Sequence, residues 1–326
     1  MQHHKLFFYS LSALLLGTSG IAYAEEFASV PELEGGITAS IGTFYVQPSA
    51  ENLNYAVDIS PSGNQSGTLT TANFSPDYSF GTQAMIGYLF DETANGIELA
   101  YRNLNTSDGD SGVHDFSTNN GPELLGHSDV HVDYELNTFD LLINQYVNIG
   151  EHMQLRFNGG LSYVELEQNA HINVTYDSLP EPPNADGLMT YGAQNNAFTG
   201  WGPRMGIDTR YAFGEGLGIV GNGSVAYYLG EFTLYNPTIQ YDQNNEPFYY
   251  TNDHNIDAHA VLNLRANLGL DYVYAFDYEE LSTLGLELGY QIDYYNDAAS
   301  TAPGQTLILP YDITFSGPYL NLKGVF

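Results

Sequence analysis

The chain has 326 residues with seven Lys+Arg against 39 Asp+Glu, a formal charge of −32, and no cysteine. So acidic a chain lacks the basic patches that neutralise phosphates, which excludes a nucleic-acid binder, and without cysteine there is no disulfide framework and no thiolate-held zinc. The 27 Tyr, 17 Phe and 34 Gly argue against an acidic disordered tail, which would be poor in aromatics.

Residues 1–24 read as a secretory signal peptide. Met1-Gln-His-His-Lys5 is a short basic start, Leu6 to Leu16 is an apolar run, and Ala22-Tyr23-Ala24 is a small-x-small cleavage site. Removing it deletes one base and no acid, leaving residues 25–326 with six bases, 39 acids and a charge of −33. No later run of 18 or more apolar residues is long enough for a membrane helix. Whether the exported chain enters a second membrane then depends on its strands.

From residue 36 onward the dominant pattern is alternation. In 96–104 Ile97, Leu99 and Tyr101 alternate with Glu98, Ala100 and Arg102. In 261–272 Leu262, Leu264, Leu268 and Leu270 alternate with Asn263, Arg265, Asn267 and Asp271. Ten such segments follow in chain order: 36–48, 78–90, 96–104, 130–147, 152–167, 198–213, 217–230, 256–276, 282–295 and 313–326. Their connections run 29, 5, 25, 4, 30, 3, 25, 5 and 17 residues, long and short in strict alternation. Alternating strands joined this way predict an all-β, antiparallel, up-and-down transmembrane barrel with long outer loops and short periplasmic turns. The expected strand number is ten, and a hairpin hidden in 49–77 would raise it to twelve.

Aromatics gather at strand ends, at Tyr45, Tyr88, Phe90, Tyr211, Phe213, Tyr272, Tyr274, Phe276, Tyr294 and Tyr295, where interfacial girdles belong. The chain ends on an alternating strand with a terminal Phe326, which resembles the signal read by the machinery that assembles bacterial outer-membrane barrels.

All six bases of 25–326 fall on polar strand faces: Arg102, Arg156, Arg204, Arg210, Arg265 and Lys323. In a barrel that parity points them into the lumen, because an Arg facing lipid at mid-membrane costs about 2–4 kcal/mol. Glu98, Asp140, Asp208, Asp271 and Glu287 share those faces, so the expected lumen is near balance at +1. The remaining acidity concentrates in the outer connections, where it enriches cations at low salt. Mixed charges in a narrow barrel have two readings. They fill the interior as ion pairs, or they set a field across a water path.

Sites for chemistry are few. His127, Asp129, His131 and Asp133 share one strand face, a set that can bind a divalent metal but equally describes a solvated strand end, so no metal site is assigned. Asp108-Gly-Asp110-Ser-Gly112 resembles part of a calcium loop but lacks the third acidic ligand and the Glu at position twelve. Asp253, His254, Asp257 and His259 cluster near the outer start of one strand, and a His–carboxylate pair can act as a general base. No spacing identifies the facing acids that hydrolysis would need. There is no nucleophile elbow, phosphate loop or His-Glu-x-x-His, so no catalytic residue and no cofactor is expected.

The stretch Gly36-Ile-Thr-Ala-Ser-Ile-Gly-Thr-Phe-Tyr-Val-Gln-Pro-Ser-Ala-Glu-Asn-Leu-Asn-Tyr55 resembles the start of the Legionella major outer membrane protein family. Tyr134-Glu-Leu-Asn-Thr-Phe-Asp140, and Gly202-Pro-Arg-Met-Gly-Ile-Asp-Thr-Arg-Tyr211 with the glycine-rich hairpin to Gly230, are similar as well. The resemblance implies a porin-like barrel that also serves at the host-contact surface. It supplies no catalytic residues, and the cysteine-linked assembly known in that family does not carry over to a chain without cysteine.

The leading expectation is therefore an outer-membrane, non-enzymatic passive channel for small hydrophilic solutes or ions, with the ten lumen residues from Glu98 to Glu287 setting its bore and field. The alternatives are a closed structural or surface-interaction barrel without transport and, third, an omptin-like hydrolase at the outer rim. Expected partners are outer-membrane lipid and lipopolysaccharide, the barrel assembly machinery through the strand ending in Phe326, and molecules of a host surface.

Overall fold

A computed structural model describes residues 35–50, 54–60, 68–91, 93–115, 125–176, 189–241, 247–278, 281–301 and 309–326. The signal segment 1–24 lies outside the described residues. Among the described residues twelve strands follow one another in chain order: β1 (Gly36–Ala50), β2 (Asn54–Ser60), β3 (Thr68–Asn73), β4 (Ser79–Leu89), β5 (Asn95–Asp115), β6 (Leu125–Ile149), β7 (Met153–Tyr176), β8 (Met189–Gly214), β9 (Leu217–Tyr241), β10 (Pro247–Tyr278), β11 (Leu281–Thr301) and β12 (Leu309–Val325). β1 and β4–β12 close into an antiparallel ring. Its seam pairs β1 with β12 from Thr38↔Val325 to Ala50↔Ile313, and the backbones of Ile37 and Phe326 exchange two hydrogen bonds of 3.0 and 2.9 Å. The hairpin foreseen inside 49–77 exists as β2–β3, but as a separate two-stranded sheet. The ring therefore has ten strands, not twelve.

Membrane-level parity is as the alternation requires. In β6 Phe139, Leu141, Ile143, Val147 and Ile149 point outward and are exposed, while Asp140 and Asn144 point inward and are buried. A strand of roughly ten residues crosses the bilayer core, and this apolar stretch matches it. Rings bound the band. On the outer side Tyr101 and Phe139 lie 4.5 Å apart, Phe139 and Tyr163 6.2 Å, Tyr163 and Trp201 4.7 Å, and Tyr45 and Phe80 4.5 Å. On the periplasmic side Tyr88 lies against Phe90 and Tyr211 against Phe213, each pair at 5.6 Å. Tyr295, expected in a girdle, instead points inward and is fully buried, because neighbours on a strand face opposite sides and Tyr294 takes the outward position. Ile143→Arg should cost about 2–4 kcal/mol of folding free energy, read as a shift of the urea midpoint of vesicle-folded protein.

The periplasmic turns are short, as expected. The β8–β9 turn has positive φ at Gly214, Glu215 and Gly216 (112°, 52° and 83°), a backbone in which the two glycines carry no Cβ penalty. The outer side departs from expectation. Most of the residues taken for long outer loops are strand: β6 and β7 pair without a break from Gly126↔Tyr176 to Ile149↔Met153, and β9 and β10 pair from Pro247↔Tyr241 inward with one register shift between Ile256 and His259.

The reason is an inversion of polarity along single strands. In β6 the apolar outward residues occupy odd positions from 139 onward, whereas Val130, Val132, Tyr134 and Leu136 occupy even positions and point inward, 0–4% exposed. The same switch divides Tyr101 from Leu104 in β5, Tyr163 from Val164 and Leu166 in β7, and Leu229 from Phe232 and Leu234 in β9. In the membrane the lipid side must be apolar, whereas above it water lies outside, so the apolar face turns in. A reading tuned to one phase of alternation ends each strand where the phase flips.

The outer half of the barrel thereby acquires a core of its own. Phe44, Val46, Tyr134, Leu136, Leu166, Phe198, Tyr228, Phe232, Leu234, Tyr295, Ile313 and Phe315 are all 0–2% exposed and belong to one cluster. Phe315 packs edge-on against both Tyr134 and Tyr295, at 5.9 and 6.2 Å. The barrel interior is polar at membrane level and apolar above it.

Candidate functional site

All eleven charged residues expected in the lumen face the interior, and they are brought together as ion pairs. Lowest lie Arg210 with Asp271, Nε to Oδ2 2.6 Å, and Lys323 with Glu287, which also accepts from the Tyr319 hydroxyl at 2.6 Å. Arg156 bridges two strands, giving Nη1 to Glu98 and Nε to Asp208, both at 2.5 Å. Arg204 donates Nη1 to Asp140 at 2.6 Å and Nη2 to the Ser224 hydroxyl at 3.0 Å. Asp140 also accepts from Ser162, whose hydroxyl contacts Tyr228 at 2.9 Å.

The expected balance of +1 requires one correction. Arg102 and Arg265 both turn to Asp293, an acid not counted among the lumen groups. Asp293 is fully buried, receiving Arg102 Nη1 at 2.7 Å, Arg265 Nε at 3.2 Å and Asn263 Nδ2 at 2.6 Å. The lumen thus holds six bases against six acids. The alternation already set Asp293 on the polar face of β11. It stands nearer the strand's outer end than Glu287, the acid of the same strand counted in that balance. The Arg102 guanidinium also lies 4.7 Å from the centre of the Phe44 ring, so this cluster is where the charged lumen meets the apolar core.

Below that ceiling lies a cavity of about 390 Å³ lined by Thr38, Ser40, Gln83, Arg156, Asn267 and Lys323, among others. Buried polar atoms facing the interior without a protein partner include Nε of Arg102 and Arg204, Oδ1 of Asn144, Asn158 and Asp271, and Nε2 of Gln291. Buried groups of this kind are ordinarily satisfied by water, and the cavity beside them has room to hold it. Lys323, its side chain 48% exposed, marks the periplasmic end.

The other candidate clusters do not assemble into a site. His127 and His131 share the outward face of β6 with Asp129 and Asp133, but each ring faces its own neighbour, Nε2 to Oδ1 3.4 Å in both pairs. Among the described residues no three His, Asp or Glu side chains converge as metal ligands. Asp108 and Asp110 lie within the regular strand β5, not in a loop that could wrap a cation. On β10, His259 contacts the Asp297 carbonyl through Nε2 at 2.7 Å and packs on Phe232 and Phe198, ring centres 5.0 and 5.9 Å away. No described carboxylate orients it. Above the outer girdle Glu135 and Glu167 are direct cross-strand partners. Partial burial, with Glu135 and Glu165 nearby, pushes the Glu167 carboxyl above its usual range.

Comparison with known proteins bears on this geometry. Comparison with curated protein sequences gave no match. Among solved structures, the outer membrane protease OmpT of Escherichia coli is 13% identical, covering 89% of this chain and 97% of its own, with a TM-score of 0.45. A CymD monoaromatic hydrocarbon channel is 10% identical over 90% and 89%, TM-score 0.30. A Pseudomonas aeruginosa FadL homologue is 8% identical over 90% of both chains, TM-score 0.26. At such scores neither protease nor channel chemistry transfers. The family model described as Legionella pneumophila major outer membrane protein precursor matches residues 29–326, nearly the whole region read as barrel. With the closed ring of ten strands and its lipid-facing apolar band, that match makes this chain an outer-membrane β-barrel protein belonging to the Legionella major outer membrane protein family.

Proposed function

We propose that the barrel is a passive, non-enzymatic channel for small hydrophilic solutes or ions, held closed at its outer end in the conformation described above. The observation that carries this reading is the charge-lined cavity at membrane level, about 390 Å³, whose unpartnered polar atoms need water. A purely structural barrel has no need of that space and could fill it with apolar side chains at lower desolvation cost. Arg102, Arg156, Arg204, Arg210 and Arg265, with Glu98, Asp140, Asp208, Asp271, Glu287 and Asp293, set the bore and its field. The equal number of bases and acids makes ion selectivity depend on local order along the path, not on net lumen charge.

The test is planar-bilayer recording of the folded protein. The expected trace is mostly closed, with discrete openings, and Arg204→Glu should move the reversal potential toward cation preference. A silent bilayer would sink the channel reading, and an unchanged reversal potential would remove Arg204 from the path. The second reading, a closed surface barrel, is favoured by the apolar core that occupies the outer half. It predicts silence in every variant that keeps the fold. A rim hydrolase has less support. His259 is held by Asp297 and two aromatic rings, and the third reading requires cleavage that disappears in His254→Ala.

Within this reading, residues 1–24 direct export and are removed. The girdles meet outer-membrane lipid and lipopolysaccharide, and the strand ending at Phe326 engages the assembly machinery. The acidic outer surface faces cations and host molecules.

A further inference from the structure

β11 does not run regularly to its outer end. Tyr295 pairs with Ile313 and Ala299 pairs with Tyr311, so residues 296, 297 and 298 stand opposite Asp312 alone. β11 carries two residues more than its partner. The surplus is accommodated by Asp297 in the left-handed region, φ 56°, a conformation that disfavours any residue with a Cβ. Beyond it three consecutive residues, Ala298, Ala299 and Ser300, are 2%, 0% and 3% exposed. A regular strand would present alternate residues to solvent. Here the strand bends inward while it keeps its pairing with β12, Ala299 with Tyr311 and Ser300 with Pro310.

It reaches across the interior. The Ser300 N–H donates to Asn196 Oδ1 at 2.9 Å, and Gln194 Nε2 donates to the Ser300 carbonyl at 2.8 Å. Both side chains belong to β8, which is not a ring neighbour of β11. Tyr311 joins the same latch, its hydroxyl accepting from Gln194 at 2.9 Å and Asn196 at 3.0 Å. On the wall side the surplus is held by Asp312, which accepts from the Asp297 N–H at 2.9 Å and Asn296 Nδ2 at 2.8 Å. The side chains that cross are two methyls and a hydroxymethyl, and the contacts that hold them are neutral hydrogen bonds. Residues 299–301 stay paired with β12 residues 309–311, so the segment moves together with the end of β12, and Tyr311 is the one bulky buried group it carries.

We propose that residues 296–300 form a strap that pins the outer apolar core, of which Ala298 and Ala299 are part, with Gln194 and Asn196 as its latch, and that its movement loosens this seal and opens the passage. The closure stands on this geometry alone. Only its purpose rests on the channel reading.

The absence of native cysteine permits a clean test on whole cells. Gln83→Cys places one thiol in the membrane-level lumen, where Gln83 lines the cavity, and a membrane-impermeant maleimide is added outside. With the strap in place, no labelling is expected. Deleting Asp297 and Ala298 restores equal residue numbers between β11 and β12, and labelling should appear where the parent shows none. Gln194→Ala/Asn196→Ala keeps the strap but releases its latch, and should give partial labelling even if the deletion variant fails to fold. Heat-modifiable migration on gels identifies folded protein in each case. Folded variants as protected as the parent overturn the proposal, and so does labelling of Gln83→Cys with the strap intact. If labelling appears but no variant conducts in planar bilayers, the channel reading falls and the strap stands.

Discussion

Asp293→Ala should destabilise the folded barrel by about 3–5 kcal/mol, the usual cost of removing one partner from a buried ion pair. Asp293 is the only carboxylate bonded to Arg102 and Arg265 among the described residues, and both guanidiniums are buried. Removing it leaves two cations close together with no counter-charge. The pairing need not be a net gain over an apolar core, since desolvating three charges offsets much of their attraction. The triple substitution Arg102→Met/Asp293→Leu/Arg265→Met is therefore expected to recover most of the loss. The measurement is urea unfolding of vesicle-folded protein followed by fluorescence of Trp201, the one tryptophan of the chain, which sits lipid-exposed in the outer girdle. A loss below 1 kcal/mol would mean that water reaches this cluster freely and that it is not the ceiling of the lumen.

Phe315→Ala should be comparably costly, about 3–5 kcal/mol, because a buried aromatic leaves both its transfer free energy and a cavity behind. Phe315 is 2% exposed and joins rings contributed by β6 and β11, so the cavity would lie in the middle of the outer core. In planar bilayers the same variant should open more often than the parent. Leu320→Ala on the same strand is the control. Leu320 faces lipid at 41% exposure, leaves no internal cavity, and should be milder with gating unchanged.

Much of this architecture was legible in the residues. Ten strands, their periplasmic turns and the inward aim of all six bases follow from one rule, that a lipid-facing position must be apolar. The strand ends 89/95, 149/153 and 214/217 fall within a few residues of expectation, since short turns leave little freedom. The outer half was not legible by that rule, because water replaces lipid there and the apolar parity reverses. Tyr134 and Leu136 carry the reversed signal within five residues of Phe139, so a second phase of alternation marks the core. Asp293 is an inward acid nearer the outer end of β11 than Glu287. The strap was beyond reach. Ala298-Ala299-Ser300 has no composition that marks an internal crossing, and the two-residue surplus shows only once β11 and β12 are in register.

The acidity of the chain also divides along the barrel. The lumen is neutral by pairing, and the excess negative charge lies outside it, where it bears on cations at the mouth and little on the constriction.

The most direct test of a hydrated lumen sealed from the outside is thiol accessibility at Asn267→Cys, with Leu136→Cys as its partner. Asn267 lines the membrane-level cavity, whereas Leu136 is 1% exposed within the outer core. With an impermeant maleimide outside intact cells, neither thiol should react. Once the outer membrane is permeabilised to admit reagent to the periplasm, the thiol at 267 should react and the one at 136 should stay protected. Reaction of the thiol at 267 in intact cells would contradict the seal, and equal reaction at both positions would contradict the dry outer core.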